Sequence, residues 1–447
     1  RAIEQAQEYR FPDGSQAIYE TFRVHSQNRA KAMRTYQVPT AREREIVINR
    51  LEHDYRAART FLPADWNQYT NYERVLSTLD RQSSPGWPYM RIASTIGDYL
   101  YKGGSLEPDP DRKAELWIHV QEVLAHRYNH TWRAFLKMEP HTPRKADQKR
   151  WRMIIQCSLA VQVAVKMATK HLQDALLETT GAHPSTYGEC WFGGGWRRFR
   201  MRLERLNLVW CLDKSAWDWN SPGWIYEVVK ELDKRLTCNA NDEWSKFIDW
   251  AHNDAYVNSK VMLGDSIYQQ LEPGLMKSGS YWTIDHNSKA QVVLDRVVCV
   301  RLGRPFGPIF ATGDDTTQRK QDSLYIQTLQ GFGCVVKEVV EDYEFMGNKF
   351  TRDGPVPMYG PKHMKNIERV SDPELPGVID SYMRVYVASD QYFAFFKRLA
   401  NELGIKTKSR DYYRWFMNSP DAMERGHFAA RTYHNMPHLQ GATGAIV

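Results

Sequence analysis

Two short acidic stretches, Asp213-Lys214-Ser215-Ala216-Trp217-Asp218 and Gly313-Asp314-Asp315, carry the side chains best suited to chemistry in this chain. Each follows an apolar run that reads as a buried β-strand. Leu206, Leu208, Val209, Trp210, Cys211 and Leu212 precede Asp213, and Ile309, Phe310 and Ala311 precede the Gly-Asp-Asp. Carboxylates at the end of buried strands have no apolar role, and burying them unpaired is costly. Hard divalent cations are their natural partners, because Mg2+ takes oxygen ligands while it holds phosphates. Asp213, Asp314 and Asp315 are therefore candidate metal ligands. Brought together from strand ends, they suit a two-metal phosphoryl-transfer site.

Gly-Asp-Asp by itself is weak evidence, since Asp and Gly also favour a type I′ hairpin turn. Its company strengthens it. Four residues separate Asp213 from Asp218, so a strand-to-helix turn can aim the first at a metal and the second towards a sugar. The ordinary alternative for Asp218 is a helix N-cap. Between the acidic stretches, a Gly-bracketed loop from Pro273 to Gly279 feeds a helix carrying Thr283 and Asn287. These two lie one turn apart on one helical face and, with Ser278, could read a hydroxyl such as a ribose 2′-OH. Taken alone, that stretch reads as an ordinary loop and polar helix face.

Upstream, residues 133–152 hold Arg133, Lys137, Arg144, Lys145, Lys149, Arg150 and Arg152 against only Glu139 and Asp147, interleaved with Phe135 and Trp151. Such a run is most often a solvated face. Pro140 and Pro143 argue against a regular helix, so a basic loop able to clamp a triphosphate is expected. Arg197, Arg198, Arg200, Arg202 and Arg205 follow Gly193-Gly194-Gly195 and read either as a patch tracking a nucleic acid backbone or as plain surface. Ser83-Ser84-Pro85-Gly86-Trp87-Pro88 is a turn by composition.

The elements that must position these groups follow from periodicity. Helices are expected over 42–59, 159–178 (Ser158 as N-cap, Gly181 as stop), 224–236 and 282–300, and through most of the last hundred residues. Strand 308–312 and a strand returning from Thr316 make a hairpin around Gly-Asp-Asp. The mixture is an α+β pattern. With 447 residues, 42% of them hydrophobic, the chain can bury a large core. Its net charge of +7 is modest, so the distribution of charge matters more than its sum. Six widely spaced cysteines without a Cys-x-x-Cys pair point away from zinc and towards a reduced, intracellular protein. No apolar run is long enough for a transmembrane segment, and Arg1 in place of Met marks a segment of something longer.

In this order the stretches resemble the RNA-dependent RNA polymerases of positive-strand RNA viruses. Ser84-Pro85-Gly86-Trp87-Pro88 resembles motif G, Lys137 through Arg152 motif F, Asp213–Asp218 motif A, Ser278–Asn287 motif B and Gly313-Asp314-Asp315 motif C. Three phrases are most similar to the sobemovirus and luteovirus-related group. They are Phe135-Leu136-Lys137-Met138-Glu139-Pro140-His141, Ala216-Trp217-Asp218-Trp219 and Lys277-Ser278-Gly279-Ser280-Tyr281. The chain departs in motif E, where that group tends to carry Phe-Cys-Ser-His and this chain has Phe345-Met346-Gly347-Asn348-Lys349-Phe350.

The resemblance implies a right hand: fingers over 1–204, palm over 205–236, a fingers insertion over 237–268, palm again over 269–350, and a thumb over 351–447. It implies that Asp213 and Asp314 hold two Mg2+ ions, for which Mn2+ can substitute, with Asp315 in support and the Lys214 carbonyl as an extra ligand. Asp218, Thr283 and Asn287, beside Ser278 and Gly279, would bind the nucleotide and select its ribose. Lys137, Lys149, Arg150 and Arg152 would bind its triphosphate, and Lys337 is the candidate general acid. Ser84, Pro85, Gly86, Arg197, Arg198 and Arg200 would contact RNA. The implied partners are an RNA template, the nascent strand, nucleoside triphosphates, and a viral protein primer or other replicase proteins, in replication complexes of the host cytoplasm. A reverse transcriptase would place an aromatic residue where Asp218 sits, and a non-catalytic relative would not need Asp213, Asp314 and Asp315 intact.

Overall fold

The computed structural model describes residues 1–33 and 35–425, so 426–447 of the expected thumb lie outside the described residues. Its centre is a four-stranded antiparallel sheet in the order Ile309–Thr312, Asp315–Gln318, Trp210–Lys214, Val336–Glu341. The hairpin is tighter than expected, because the returning strand begins at Asp315 and pairs Thr312 with Asp315. Of the two turn residues only Gly313 has positive φ (+59°), which is the pattern of a type II′ turn rather than type I′. The strand leading to Asp213 is shorter than its apolar run. Leu206 closes the helix Gly195–Leu206, Asn207 ends it in the left-handed region, and pairing starts at Trp210.

Helix Thr283–Leu302 packs on the strand Ile309–Thr312 and on the helices Ala41–Asp54 and Gly223–Leu236. It is buried on nearly every side, so its charged residues need partners inside the protein. Lys289 bonds Asp285 at 2.9 Å and Asp233 at 2.5 Å, while Arg296 bonds Asp54 at 2.8 Å and Asp295 at 2.7 Å.

A second sheet, in the order Met153–Gln156, Trp132–Leu136, Lys260–Leu263, Ser266–Gln269, joins the basic stretch to the hairpin of the expected insertion. Where a basic loop was expected, the strands Trp132–Leu136 and Met153–Gln156 enclose a short helix, Pro143–Asp147. Pro143 is tolerated because it occupies the first turn, where its missing N–H has no intrahelical partner, and Thr142 caps that turn. Of three hydrophobic clusters among the described residues, two are large. The larger joins helices Ala41–Asp54, Leu159–Glu178 and Thr283–Leu302 with the central sheet. The smaller gathers Trp191, Trp196 and Phe199 with Phe345, Phe350, Tyr382 and Phe416. Residues just before the central sheet thus share a core with the C-terminal helices, to which Gly193 and Gly194 donate N–H bonds at the Phe416 and Met417 carbonyls.

Candidate active site

Asp213 is the penultimate residue of the inner strand Trp210–Lys214, and Asp314 and Asp315 occupy the neighbouring hairpin turn and its exit. Their mutual influence is visible in their acidities. Burial first, then Asp213, raises the Asp314 carboxyl, and burial followed by Asp314 and Asp213 pushes Asp315 up to about 8. Three crowded carboxyl groups with oxygen-only donors fit hard divalent cations, whose charge removes the repulsion. Lys337, on the adjacent strand Val336–Glu341, places its Nζ 2.6 Å from Asp213 Oδ2.

Asp218 is not a helix N-cap. Ala216 holds that position of the short helix Trp217–Asn220, in the left-handed region with φ +45°. The Asp218 carboxylate instead accepts a 2.9 Å bond from Asn287 Nδ2, while Asn287 Oδ1 accepts from Trp217 Nε1 at 2.9 Å and Tyr226 OH at 3.3 Å. Burial and the nearby Asp314 push Asp218 up to about 6. The pair expected to read a sugar is therefore one hydrogen-bonded unit near Asp314.

The structure separates Thr283 and Ser278 from that unit. Thr283 Oγ1 bonds the Ser280 carbonyl at 2.8 Å and the Lys277 carbonyl at 3.1 Å, holding the loop that enters the helix. Ser278 Oγ lies 3.3 Å from both the Met153 carbonyl and the Ile155 N–H. Gly279 N–H bonds the Ile155 carbonyl at 3.0 Å, and a Cβ there would sit 2.7 Å from the Gln156 Cα.

Four further positioning residues escape sequence reading. Ser288 Oγ accepts from the Gly313 N–H at 2.9 Å and so ties the Gly-Asp-Asp turn to the long helix. Trp217 and Tyr226 hold the Asn287 amide. Buried Arg29, from the helix Ala17–Ala32, bonds the carbonyls of Trp219 at 2.5 Å, Ser221 at 3.1 Å and Pro273 at 2.8 Å. Trp217 is signalled only by its place next to Asp218; Arg29 and Ser288 carry no local signal.

The sequence profile described as viral RNA-dependent RNA polymerase matches residues 9–294. The chain belongs to that family. It is 26% identical over 407 residues to protein P2-P3 of Poinsettia latent virus, covering 81% of this chain and 35% of that protein. It is also 26% identical over 278 residues to replicase polyprotein P2AB of Southern bean mosaic virus, covering 57% and 27%. The chain thus spans about a third of such relatives. Luteovirus and sobemovirus replicases both match, the group to which the three phrases pointed. In fold it is similar to the Sicinivirus 3Dpol RNA-dependent RNA polymerase, with a TM-score of 0.68 at 14% identity over 88% of each chain. The fold is the α+β right hand of these polymerases.

The basic residues of the chain divide in the structure. Lys137 and Arg152 meet on Glu139, at 3.4 and 3.1 Å. Lys149 is exposed on the turn after Pro143–Asp147 with φ +55°, and Arg150 reaches Gln148. Pro85 and Gly86 are buried, the former accepting the Leu159 N–H and the latter (φ +68°) leaving no room for a Cβ against the Cys157 carbonyl. Only Ser84 of that trio is partly exposed. Arg197 and Arg198 are exposed, whereas Arg200 already bonds Glu204 and the Phe350 carbonyl.

Proposed function

We propose that this polymerase adds ribonucleotides to a nascent strand on an RNA template, as the replicating and transcribing enzyme of a viral RNA genome. The observation that carries the proposal is the convergence of Asp213, Asp314 and Asp315 at adjoining strand ends, beside the bonded Asp218–Asn287 pair. Two Mg2+ ions on these carboxylates, or Mn2+ in their place, would lower the pKa of the primer 3′-OH and neutralise the pyrophosphate that leaves. The Lys214 carbonyl is a further candidate ligand. Lys137 and Arg152 would hold the triphosphate, with Lys149 and Arg150 reaching it from the neighbouring turn. Lys337, whose Nζ lies beside Asp213, would give a proton to pyrophosphate.

Asp218 and Asn287 would hold the ribose 2′-OH, with Thr283, Ser278 and Gly279 shaping the loop beneath it. Ser84, with Pro85 and Gly86 as its support, and Arg197, Arg198 and Arg200 would meet RNA phosphates. Fingers over 1–204 and 237–268, palm over 205–236 and 269–350, and thumb from 351 onwards are the proposed divisions. A viral protein primer or other replicase proteins are proposed partners, and replication complexes in the host cytoplasm the proposed location. Among the described residues no helix is long and apolar enough to cross a membrane.

The test is Mg2+-dependent incorporation of ribo- and deoxyribonucleotides on an RNA template by the full chain and by Asp314→Asn. The substitution keeps the shape of the ligand but removes its charge, so addition should fall by at least about a thousandfold while RNA binding persists. Near-normal rates in Asp314→Asn would sink the two-metal assignment. Preference for deoxyribonucleotides in the unsubstituted chain would indicate a reverse transcriptase.

A further inference from the structure

The basic end of the site receives a cation from a part of the chain that no motif marks. Lys362 lies in the helix Gly360–Asn366, beyond the strand Pro355–Pro357. Its Nζ is 3.1 Å from Glu139 Oε2, and the same carboxylate takes Lys137 Nζ at 3.4 Å and Arg152 Nη1 at 3.1 Å. One carboxylate cannot neutralise three cations. The mismatch is set in a sheltered place, with the side chains of Lys137, Lys362 and Glu139 only 24%, 27% and 13% exposed.

The strain of this crowding shows in the ammonium groups. Burial, with Arg152 and Lys362 adding repulsion against the pull of Glu139, pushes Lys137 down to about 8. Burial and Arg152 lower Lys362 as well. Partly desolvated cations in such excess call for an anion of more than one charge. The same turn is also within electrostatic reach of the metal-binding carboxylates, since burial and then Asp315, Asp314 and Asp213 raise the Tyr359 hydroxyl. A ligand that touches both groups must carry phosphates at one end and meet metal at the other.

We infer that Lys362 binds the triphosphate of the incoming nucleotide together with Lys137 and Arg152, with Glu139 as their shared counter-ion until it arrives. The inference rests on the polymerase reading and adds to it a contact from the C-terminal side of the chain. It makes triphosphate binding a bridge between the basic hairpin and the helix Gly360–Asn366. The ordinary alternative is that Lys362 serves only as a counter-ion that pins this helix to Glu139.

Equilibrium binding separates the two, because it needs no turnover. Inorganic tripolyphosphate and each of the four nucleoside triphosphates are titrated, with Mg2+ and without RNA, into the full chain and its Lys362→Gln and Lys362→Arg variants. Lys362→Gln should weaken all five ligands by about tenfold and raise KM for all four nucleotides in parallel, because the contact is to phosphate. Lys362→Arg keeps the charge and should stay within about threefold of the unsubstituted chain. Unchanged affinity in Lys362→Gln, even with a lowered melting temperature, would mean that Lys362 is a counter-ion only. A defect confined to one base would equally overturn the inference. Lys362-dependent binding of tripolyphosphate in a chain that incorporates no nucleotide would support the anion site and count against the polymerase reading.

Discussion

Asp218 and Asn287 act as one group, since each holds the other at 2.9 Å and the indole of Trp217 fixes the amide from behind. Asp218→Ala or Asn287→Ala should therefore cost ribonucleotide incorporation about a hundredfold and deoxyribonucleotide incorporation much less. A site built to bond a hydroxyl leaves its polar groups unpaired when that hydroxyl is absent. Trp217→Phe removes only the indole donor and leaves Tyr226 on the amide, so it should reduce ribo/deoxy selectivity by roughly fivefold, the equivalent of about 1 kcal/mol for one buried hydrogen bond. Selectivity ratios measured beside melting temperatures check all three. Lower melting temperatures with unchanged selectivity would give the pair a purely structural role. The acidic residue after the strand was readable as a candidate for chemistry, whereas the polar helix face, taken alone, read as ordinary. Which of them meet was not readable, because Thr283 and Asn287 share a helix face and yet Thr283 bonds its own loop.

At the scale of elements, the site depends on how loops seat against strands. Gly279 joins the loop before helix Thr283–Leu302 to the strand Met153–Gln156, with no space for a side chain. Gly279→Ala puts a methyl 2.7 Å from the Gln156 Cα and 2.8 Å from the Ile155 carbonyl, both backbone atoms that cannot swing aside. Its expected cost is about 1–3 kcal/mol in urea unfolding, with a raised KM for nucleotides as the loop and the basic hairpin separate. A variant as stable and active as the parent would show that this seam does not position the site. The hairpin around Gly-Asp-Asp and the long helix before it follow from local pattern. The seam does not, since it joins residues more than a hundred positions apart through backbone bonds that leave no local pattern.

Across the whole molecule, Glu139 fastens the hairpin of residues 132–156 to the helix Gly360–Asn366 through Lys362. Burial alone would raise its carboxyl, but Arg152, Lys137 and Lys362 outweigh burial and hold it at about 2, below the ordinary 4.5. Because the folded value is the lower one, this contribution to stability is complete above pH 4.5 and is lost as pH falls towards 2. Glu139→Gln should thus be less stable than the parent near neutrality, by on the order of 2–3 kcal/mol. The gap should narrow steadily between pH 4.5 and 2 in parallel urea titrations. A gap of constant size across that window would assign the loss to packing rather than charge.

The sequence by itself determined which carboxylates stand at strand ends and the pattern of elements around them. Strand-end carboxylates at Asp213, Asp314 and Asp315, the α+β pattern and the order of the motifs all rest on local composition and spacing, which the chain carries without folding. Only the tertiary structure decided which polar groups are free to meet a substrate. Ser278, Thr283 and Arg200 are occupied by the protein's own backbone, while Arg29 and Ser288 brace the centre from distant or unmarked positions and Lys362 is brought to Glu139. The reason is physical: a buried donor or acceptor must find a partner, and which one it finds depends on what packing brings within about 3 Å.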